Sequence, residues 1–246
     1  MQVMCSNNIK AILFDSGKVL NESRTGHWFM PPKFFEYVDK KIFESVNKKK
    51  ISTAFKKAKE YINSEKLIKT IDVELKKFIK FYEIFASEIP ELNLTNEDIK
   101  NIAYDLVYNT KKYEFYNDAL QVISDLNGEY KLGIVSDAWP SLKNVFKDAG
   151  VYGYFDTFII SSILGVTKPH KKMFNSAMEE LNVKPENVVF VDDNLKNCQG
   201  AARLGIYSFW LCRDERKYKL AKMIMFKKKL EVIKSLCQMK NSRVFR

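Results

Sequence analysis

The spacing of hydrophobic residues changes twice along the chain, and these changes define its predicted organisation. An unbroken apolar run from Ala11 to Phe14 stops at Asp15. A short run of this kind predicts a strand buried on both faces, as in a parallel sheet. Between residues 31 and 112 glycine is absent and apolar residues recur at helical spacing. From residue 116 onward, helical and strand patterns alternate.

The middle segment predicts a bundle of about four helices, without any strand pattern. Its apolar residues form two stripes, and we expect both to lie in the core of the bundle. The stripes consist of Phe34, Phe35, Val38 and Ile42, and of Leu75, Phe78, Ile79, Tyr82 and Phe85. Thr95 and Asp98 form a capping box at the start of a further helix that runs through Val107.

The alternating segment predicts a parallel sheet with helices on both faces. Helices are predicted over residues 118–126, 139–149, 171–181 and 195–204, and strands over residues 131–135, 157–160, 187–191 and 207–211. Because the strand at residues 11–14 belongs to the same sheet, the helical bundle is an insertion. We therefore predict an α/β fold: a doubly wound parallel-sheet core of residues 1–20 plus 116–246, and an all-helical cap of residues 21–115.

Polar residues suited to phosphate chemistry follow the predicted strands. They are Asp15, Ser136, Asp137, Lys168, Asp192 and Asp193. Ligands of open α/β sheets bind at the carboxyl ends of strands, and clustered carboxylates there favour Mg²⁺. Such an ion, together with Lys168, would screen a phosphate dianion, so that Asp15 could attack it in line while Ser136 positions a nonbridging oxygen. Taken singly, each residue also has an ordinary structural interpretation as a turn, loop or capping residue.

In this order the motifs resemble those of the haloacid dehalogenase superfamily, in particular its phosphatases with a helical cap. The resemblance rests on residues 14–20, Ser136, Lys168 and residues 192–197. It implies a Rossmann-like core with Asp15 as the nucleophile. It also implies that Asp15, Asp193 and the Gly17 carbonyl hold Mg²⁺, that Asp192 is a further ligand or a partner of the ligands, and that Asn197 orients them. Ser16 and Asp137 are expected to join Ser136 and Lys168 in binding the substrate.

Gly17 departs from the usual pattern, in which a second Asp acts as general acid and base two residues after the nucleophile. Similar phosphatases, including one that acts on sugar 1-phosphates, also carry Gly there. Alternatively, Lys18 or His27 replaces the missing group, or the protein binds phosphate with little turnover. Gly17 also has a conformational interpretation, a tight turn. His27 is either a substrate-binding residue near the entry to the cap or a packed histidine.

We predict a Mg²⁺-dependent phosphatase of a small phosphorylated metabolite, such as a sugar phosphate, that works through an aspartyl-phosphate. A dehalogenase using Asp15 on carbon is disfavoured by Asp192 and Asp193, because that chemistry needs no metal. The third possibility is a phosphate-binding protein without turnover, and Gly17 supports it. No oligomeric state is predicted.

The charge of the chain adds one further alternative. The net charge is +11, and residues 213–246 carry 12 basic and three acidic residues, including Lys227 to Lys229. A basic segment of this kind is typical of nucleic-acid partners, but no recognised nucleic-acid module accompanies it, so we expect none. The four cysteines, Cys5, Cys198, Cys212 and Cys237, lack paired spacing and are predicted to be reduced thiols. With no secretory or membrane-spanning pattern, we expect a cytoplasmic protein.

Overall fold

The computed structural model describes residues 9–224 and 229–245. Within them the chain forms two compact units. The α/β unit comprises the described parts of Met1–Glu22, Phe115–Ala138 and Ala149–Arg246, and the helical unit comprises Ser23–Glu114 and Trp139–Asp148. The helical unit thus includes residues 139–148 in addition to most of the predicted insertion. No helix of the described chain has the length and apolarity to cross a membrane.

The α/β unit is built on a six-stranded sheet in the order β5-β4-β1-β6-β7-β8, with every neighbouring pair parallel. Its strands are β1 (Ala11–Phe14), β4 (Lys131–Ser136), β5 (Thr157–Ile160), β6 (Val188–Asp192), β7 (Tyr207–Leu211) and β8 (Leu230–Ile233). Two short strands, β2 (Asn21–Ser23) and β3 (Tyr113–Phe115), form a separate sheet where the chain passes between units. The predicted parallel sheet is confirmed.

Helices flank the sheet of the α/β unit. They are α6 (Asn117–Leu126), α8 (Ser161–Leu164), α9 (Lys171–Leu181), α10 (Leu195–Arg203) and α11 (Glu215–Ile224). Ala11 and Leu13 of β1 pack in one cluster with Phe174 of α9 and Ala201 of α10. The alternate residues of β1 are equally inaccessible to solvent. Burial on both faces explains why β1 is an unbroken apolar run.

The helical unit contains α1 (Phe34–Tyr37), α2 (Lys40–Ser45), α3 (Lys48–Ser64), α4 (Ile71–Glu88), α5 (Asn96–Tyr108) and α7 (Leu142–Asp148). The second predicted stripe is confirmed, with Phe78, Tyr82 and Phe85 of α4 fully buried. The prediction that the first stripe lies on one helix is wrong. Asp39 caps the start of α2 and divides the stripe, which leaves Phe35 and Ile42 exposed.

The C-terminal segment belongs to the α/β unit, as predicted, and it contributes a strand, β8, that the sequence pattern did not predict. Leu230 and Ile233 of β8 are buried at the edge of the sheet, and the Lys229 ammonium donates to the Gly205 carbonyl at 2.7 Å. Lys227, Lys228 and Cys5 lie outside the described residues. Most Lys and Arg side chains that the structure describes in residues 213–245 remain exposed, so they form a solvated basic surface on a packed segment.

Candidate active site

Strand order places two acidic residues side by side at the carboxyl edge of the sheet. β1 and β6 are neighbours, and Phe14 pairs with Val191. The Asp15 N–H donates to the Val191 carbonyl at 2.9 Å, which continues the ladder by one residue. Asp15, directly after β1, therefore lies beside Asp192, the last residue of β6.

A buried ammonium joins these two acids. The Nζ atom of Lys168 lies 2.7 Å from Oδ1 of Asp15 and 2.7 Å from Oδ2 of Asp192. Burial lowers the pKa of Lys168, but the charges of Asp15, Asp192 and Asp137 outweigh burial and raise it above its ordinary value. Lys168 is therefore a permanent cation at this edge of the sheet.

The loop that carries Lys168 is held by Asp137, which follows β4. A carboxylate oxygen of Asp137 accepts the backbone N–H of Lys168 at 2.9 Å. Burial raises the pKa of Asp137 above its ordinary value. The preceding residue, Ser136, ends β4 with its side chain buried. Because β4 pairs with the other side of β1, Ser136 lies at the same edge as Asp15.

Three carboxylates gather in this unit. Asp15, Asp192 and Asp193 each offer one oxygen, and these oxygens lie within 4.8 Å of one another. Burial, followed by the negative charge of Asp15, raises the pKa of Asp192 to about 7 and raises the pKa of Asp193. Like charges at this spacing repel one another unless a cation neutralises them. Hard oxygen donors of this kind suit Mg²⁺, so the residues present fit such an ion.

The two acids after β6 differ in their surroundings. Asp192 Oδ1 accepts the Asn194 N–H at 2.7 Å, and Oδ2 accepts Asn197 Nδ2 at 3.0 Å in addition to the Lys168 ammonium. The Asp193 side chain is 32% exposed and lies 4.0 Å from the Lys18 ammonium. Both oxygens of Asp192 are therefore engaged by protein donors, whereas Asp193 is open to a ligand.

The loop after Asp15 is tightly turned. The Ser16 carbonyl accepts N–H groups from Val19, Leu20 and Asn21 at 2.8–3.3 Å, and the Ser16 hydroxyl accepts Asn21 Nδ2 at 2.8 Å. Lys18 has a positive φ of 61°, which is uncommon for a residue other than glycine. The Ser16 side chain thus braces the loop, and Gly17 brings no side chain to the site.

The residues predicted from the sequence fall in both units, and all of them except His27 belong to the α/β unit. His27 belongs to the helical unit, where its ring packs 4.4 Å from that of Phe55. The structure adds Arg213, which was not predicted from the sequence. Its guanidinium donates to the carbonyls of Lys18 and Val19 at 3.3 and 2.8 Å. No local motif marks Arg213, because its partners lie almost 200 residues away in the chain.

Comparison with known proteins agrees with this arrangement. Residues 9–205 match the family model of haloacid dehalogenase-like hydrolases. The chain is 30% identical over 102 residues to the pyrimidine 5′-nucleotidase YjjG of Escherichia coli, covering 40% of this chain and 45% of that protein. It is 31% identical over 120 residues to the glyceraldehyde 3-phosphate phosphatase of Methanopyrus kandleri, covering 45% and 50%. The chain thus spans about half the length of these curated relatives.

The fold extends further than this local similarity. The crystal structure of a HAD phosphatase from Thermococcus onnurineus superposes with a TM-score of 0.63 at 22% identity, and the match covers 95% of this chain and 97% of the other. At this identity the match shows a shared fold. It includes residues of both the α/β and the helical unit, since it spans nearly the whole chain.

Proposed function

This chain belongs to the haloacid dehalogenase-like hydrolase family, and from that premise we propose that it is a Mg²⁺-dependent phosphatase with Asp15 as its nucleophile. One observation carries the proposal: the buried Lys168 ammonium lies 2.7 Å from the carboxylates of both Asp15 and Asp192. A fixed cation beside the nucleophile would screen part of the charge of an incoming phosphate dianion. The curated relatives, a nucleotidase and a phosphatase, support a small phosphorylated metabolite as the substrate class.

We assign Asp15, Asp193 and the Gly17 carbonyl as the Mg²⁺ ligands. Asp193 is preferred to Asp192 because both oxygens of Asp192 already accept hydrogen bonds from Asn194, Asn197 and Lys168. These residues would hold Mg²⁺, whose positive charge would lower the repulsion between the nucleophile and the phosphate. Asp192 then acts on the site through Lys168, whose position it fixes.

In the first chemical step, a carboxylate oxygen of Asp15 forms a bond to phosphorus as the ester bond to the leaving oxygen breaks. Lys168 and the Ser136 hydroxyl hold nonbridging oxygens of the phosphate, and Asp137 keeps Lys168 in place through its backbone N–H. Water then cleaves the aspartyl-phosphate, which releases inorganic phosphate and restores Asp15.

Gly17 determines how the leaving oxygen is protonated. With no carboxylic acid at this position, we propose that water supplies the proton. General acid catalysis is typically worth about 10²–10⁴-fold, so turnover should depend steeply on the pKa of the leaving group. Aryl phosphates such as p-nitrophenyl phosphate should then react much faster than alkyl phosphates.

For the helical unit we propose the role of a cap that excludes water during phosphoryl transfer. His27 belongs to this unit, and its Nδ1 atom accepts the Phe29 N–H at 3.3 Å. Nδ1 is thereby engaged within the helical unit, and Nε2 remains as the nitrogen with which His27 would contact a substrate.

The test is hydrolysis of p-nitrophenyl phosphate with Mg²⁺ by the full chain and by Asp15→Asn. We expect the variant to lose essentially all activity and a chelator to abolish the activity of the natural protein. Asp125→Asn, at an exposed carboxylate of α6, is the matched control and should keep the full rate. Equal rates for the natural protein and Asp15→Asn would refute the proposal.

A second candidate function is phosphate binding without turnover, which the lack of a side chain at Gly17 favours. Titration calorimetry with inorganic phosphate in the presence of Mg²⁺ distinguishes the two. Binding that disappears in Lys168→Met, combined with no hydrolysis of any phosphate ester, would establish this second function in place of the first.

A further inference from the structure

The helical unit contains a cavity of about 1030 Å³, and every residue that lines it belongs to that unit. Its apolar lining includes Met30, Ile51 and the ring of Phe55. This volume is in the range of sites for drug-sized molecules, which are lined mainly by apolar side chains with a few polar groups. The polar groups of the cavity therefore indicate what it would bind.

His27 supplies one hydrogen-bond donor. Its Nδ1 atom accepts the backbone N–H of Phe29 at 3.3 Å. Burial, with the nearby charge of Lys59, lowers the pKa of His27, so the ring is neutral at pH 7. A neutral imidazole whose Nδ1 atom accepts a hydrogen bond carries its proton on Nε2. His27 therefore retains an N–H donor among the lining residues.

The charged residues around the cavity leave an excess of positive charge. Glu60 pairs with Lys56 at 4.0 Å and Glu44 pairs with Lys40 at 3.8 Å. Lys48 and Lys59 also line the cavity, and neither forms an ion pair with any residue of the described chain. Each acid is thus paired with a lysine. The Lys59 ammonium lies 5.6 Å from the centre of the Phe29 ring, a contact that leaves its N–H donors available, so both Lys48 and Lys59 can donate to an anion.

From these contacts we propose that the cavity binds an organic anion with a flat apolar body and one acidic group, a carboxylate, sulfonate or phosphate. The apolar body would pack on Phe55, and the acidic group would accept hydrogen bonds from His27 Nε2 and Lys59. Apart from His27, for which substrate binding is a prediction from the sequence, no lining residue is assigned to the phosphatase site. The proposal rests on contacts within the helical unit, so it stands without the proposed function.

The probe is 8-anilinonaphthalene-1-sulfonate, which has both features, compared with the neutral dye N-phenyl-1-naphthylamine. We expect the full chain to bind one equivalent of the anionic dye with enhanced fluorescence. Lys59→Gln should weaken this binding about fivefold, the upper range for an exposed ion contact. The same variant should leave binding of the neutral dye unchanged. His27→Gln should weaken binding of the anionic dye by a similar factor, as expected for the loss of one hydrogen bond.

Two further variants define the site. Lys57→Gln removes an equal charge from the same helix at an exposed residue that pairs with Glu88 instead, so it should leave both dyes unaffected. Ser52→Phe fills the cavity from its exposed edge and should abolish binding of both. The proposal is overturned if Lys57→Gln and Lys59→Gln act equally on the anionic dye, or if Ser52→Phe still binds it.

Discussion

The guanidinium of Arg213 donates to both carboxylate oxygens of Asp118, at 2.9 and 3.1 Å. It also lies 3.8 Å from the centre of the Tyr116 ring and donates to the Lys18 and Val19 carbonyls. A planar guanidinium held on three sides leaves its bonded partners little freedom. Arg213 therefore fixes the loop that directly follows the proposed nucleophile.

Arg213→Lys should lower kcat for p-nitrophenyl phosphate. Lysine keeps the charge but cannot reproduce the forked contacts with Asp118 and the loop, and a displacement of about 1 Å at a reacting group can cost 10²-fold. We expect a loss of about 10-fold to 100-fold, with KM changed much less. Arg216→Ala, at an exposed position of α11, is the control. A kcat equal to that of the natural protein in Arg213→Lys would show that the loop holds its shape without this clamp.

Lys168→Met should destabilise the metal-free protein. The substitution leaves Asp15 and Asp192 buried together without their common cation, and breaking a buried ion pair in this way costs about 3–5 kcal/mol. Thermal unfolding in a chelator measures this loss. Added Mg²⁺ should raise Tm more in the variant than in the natural protein, because the ion then replaces the positive charge that Lys168 supplied to these carboxylates. An unchanged Tm in the chelator would contradict the assigned ion-pair network.

The pKa of Asp192, about 7 in the folded protein, predicts how pH acts on the metal-free protein. An unfolded Asp titrates near its ordinary value of 3.8. Between these values the folded state binds more protons than the unfolded state, so stability falls as pH rises from about 4 to about 7. Urea unfolding in a chelator across this range tests the sign.

Mg²⁺ binding should show the opposite dependence. Below pH 7 a proton on Asp192 disfavours binding of the ion nearby. The affinity for Mg²⁺ should therefore rise as pH increases from about 6 to 8, and binding should release a proton. Titration calorimetry in buffers of different ionisation enthalpy measures that proton. Asp192→Asn should reduce the pH dependence and leave the part that is due to Asp193, whose pKa is also raised. If the variant keeps the full dependence, another group is responsible.

How well each helix and strand could be predicted from the sequence depends on how deeply it is buried. The strand at Ala11–Phe14 and the helix at Lys171–Leu181 have the predicted bounds, because each is packed and flanked by residues that end it. The strand β8 was missed since its four residues include Glu231 and follow a run of lysines, an edge-strand pattern that resembles a solvated segment. The helix predicted from Trp139 begins only at Leu142, after Pro140.

The candidate site, too, was predicted only in part. Motifs predicted that Asp15, Lys168 and the acids after β6 would converge, since residues at the carboxyl ends of parallel strands share one edge. The strand order that makes β1 and β6 neighbours has no counterpart in local periodicity. Arg213 could not be predicted either, because its contacts depend on tertiary structure alone.

Gly200→Ala should disturb the loop that carries Lys168. A Cβ atom at Gly200, in α10, would lie 2.4 Å from the Cβ of Pro169, and backbone or ring must move to accommodate it. Overpacking of this kind costs about 1–3 kcal/mol, and the displaced loop should also lower kcat. Gly153→Ala has open space and no positive φ, so it should behave like the natural protein in both urea unfolding and hydrolysis. Equal behaviour of the two variants would contradict the close packing of this loop.

In the helical unit, a series of buried hydrogen bonds links Lys112 to Glu74, and we expect the contributions of these two residues to stability to be strongly coupled. The Lys112 ammonium donates to the Ser141 hydroxyl at 2.9 Å, and Ser141 donates its hydroxyl and N–H to the two oxygens of Glu74 at 2.6 and 2.8 Å. Burial lowers the pKa of Lys112 to about 8 and raises that of Glu74. Glu74→Leu should cost about 3–5 kcal/mol, because it leaves the buried Lys112 charge without its main compensating carboxylate.

The double variant Glu74→Leu with Lys112→Met removes both charges, so urea unfolding should show it to be more stable than Glu74→Leu alone. The single variant should also regain stability as pH rises from about 8 to about 10, since the buried Lys112 loses its proton there while an unfolded lysine keeps its own. Additive losses in the double variant would show that the two charges are independent, and a stability of Glu74→Leu that stays flat over this pH range would show that Lys112 is not the group left uncompensated.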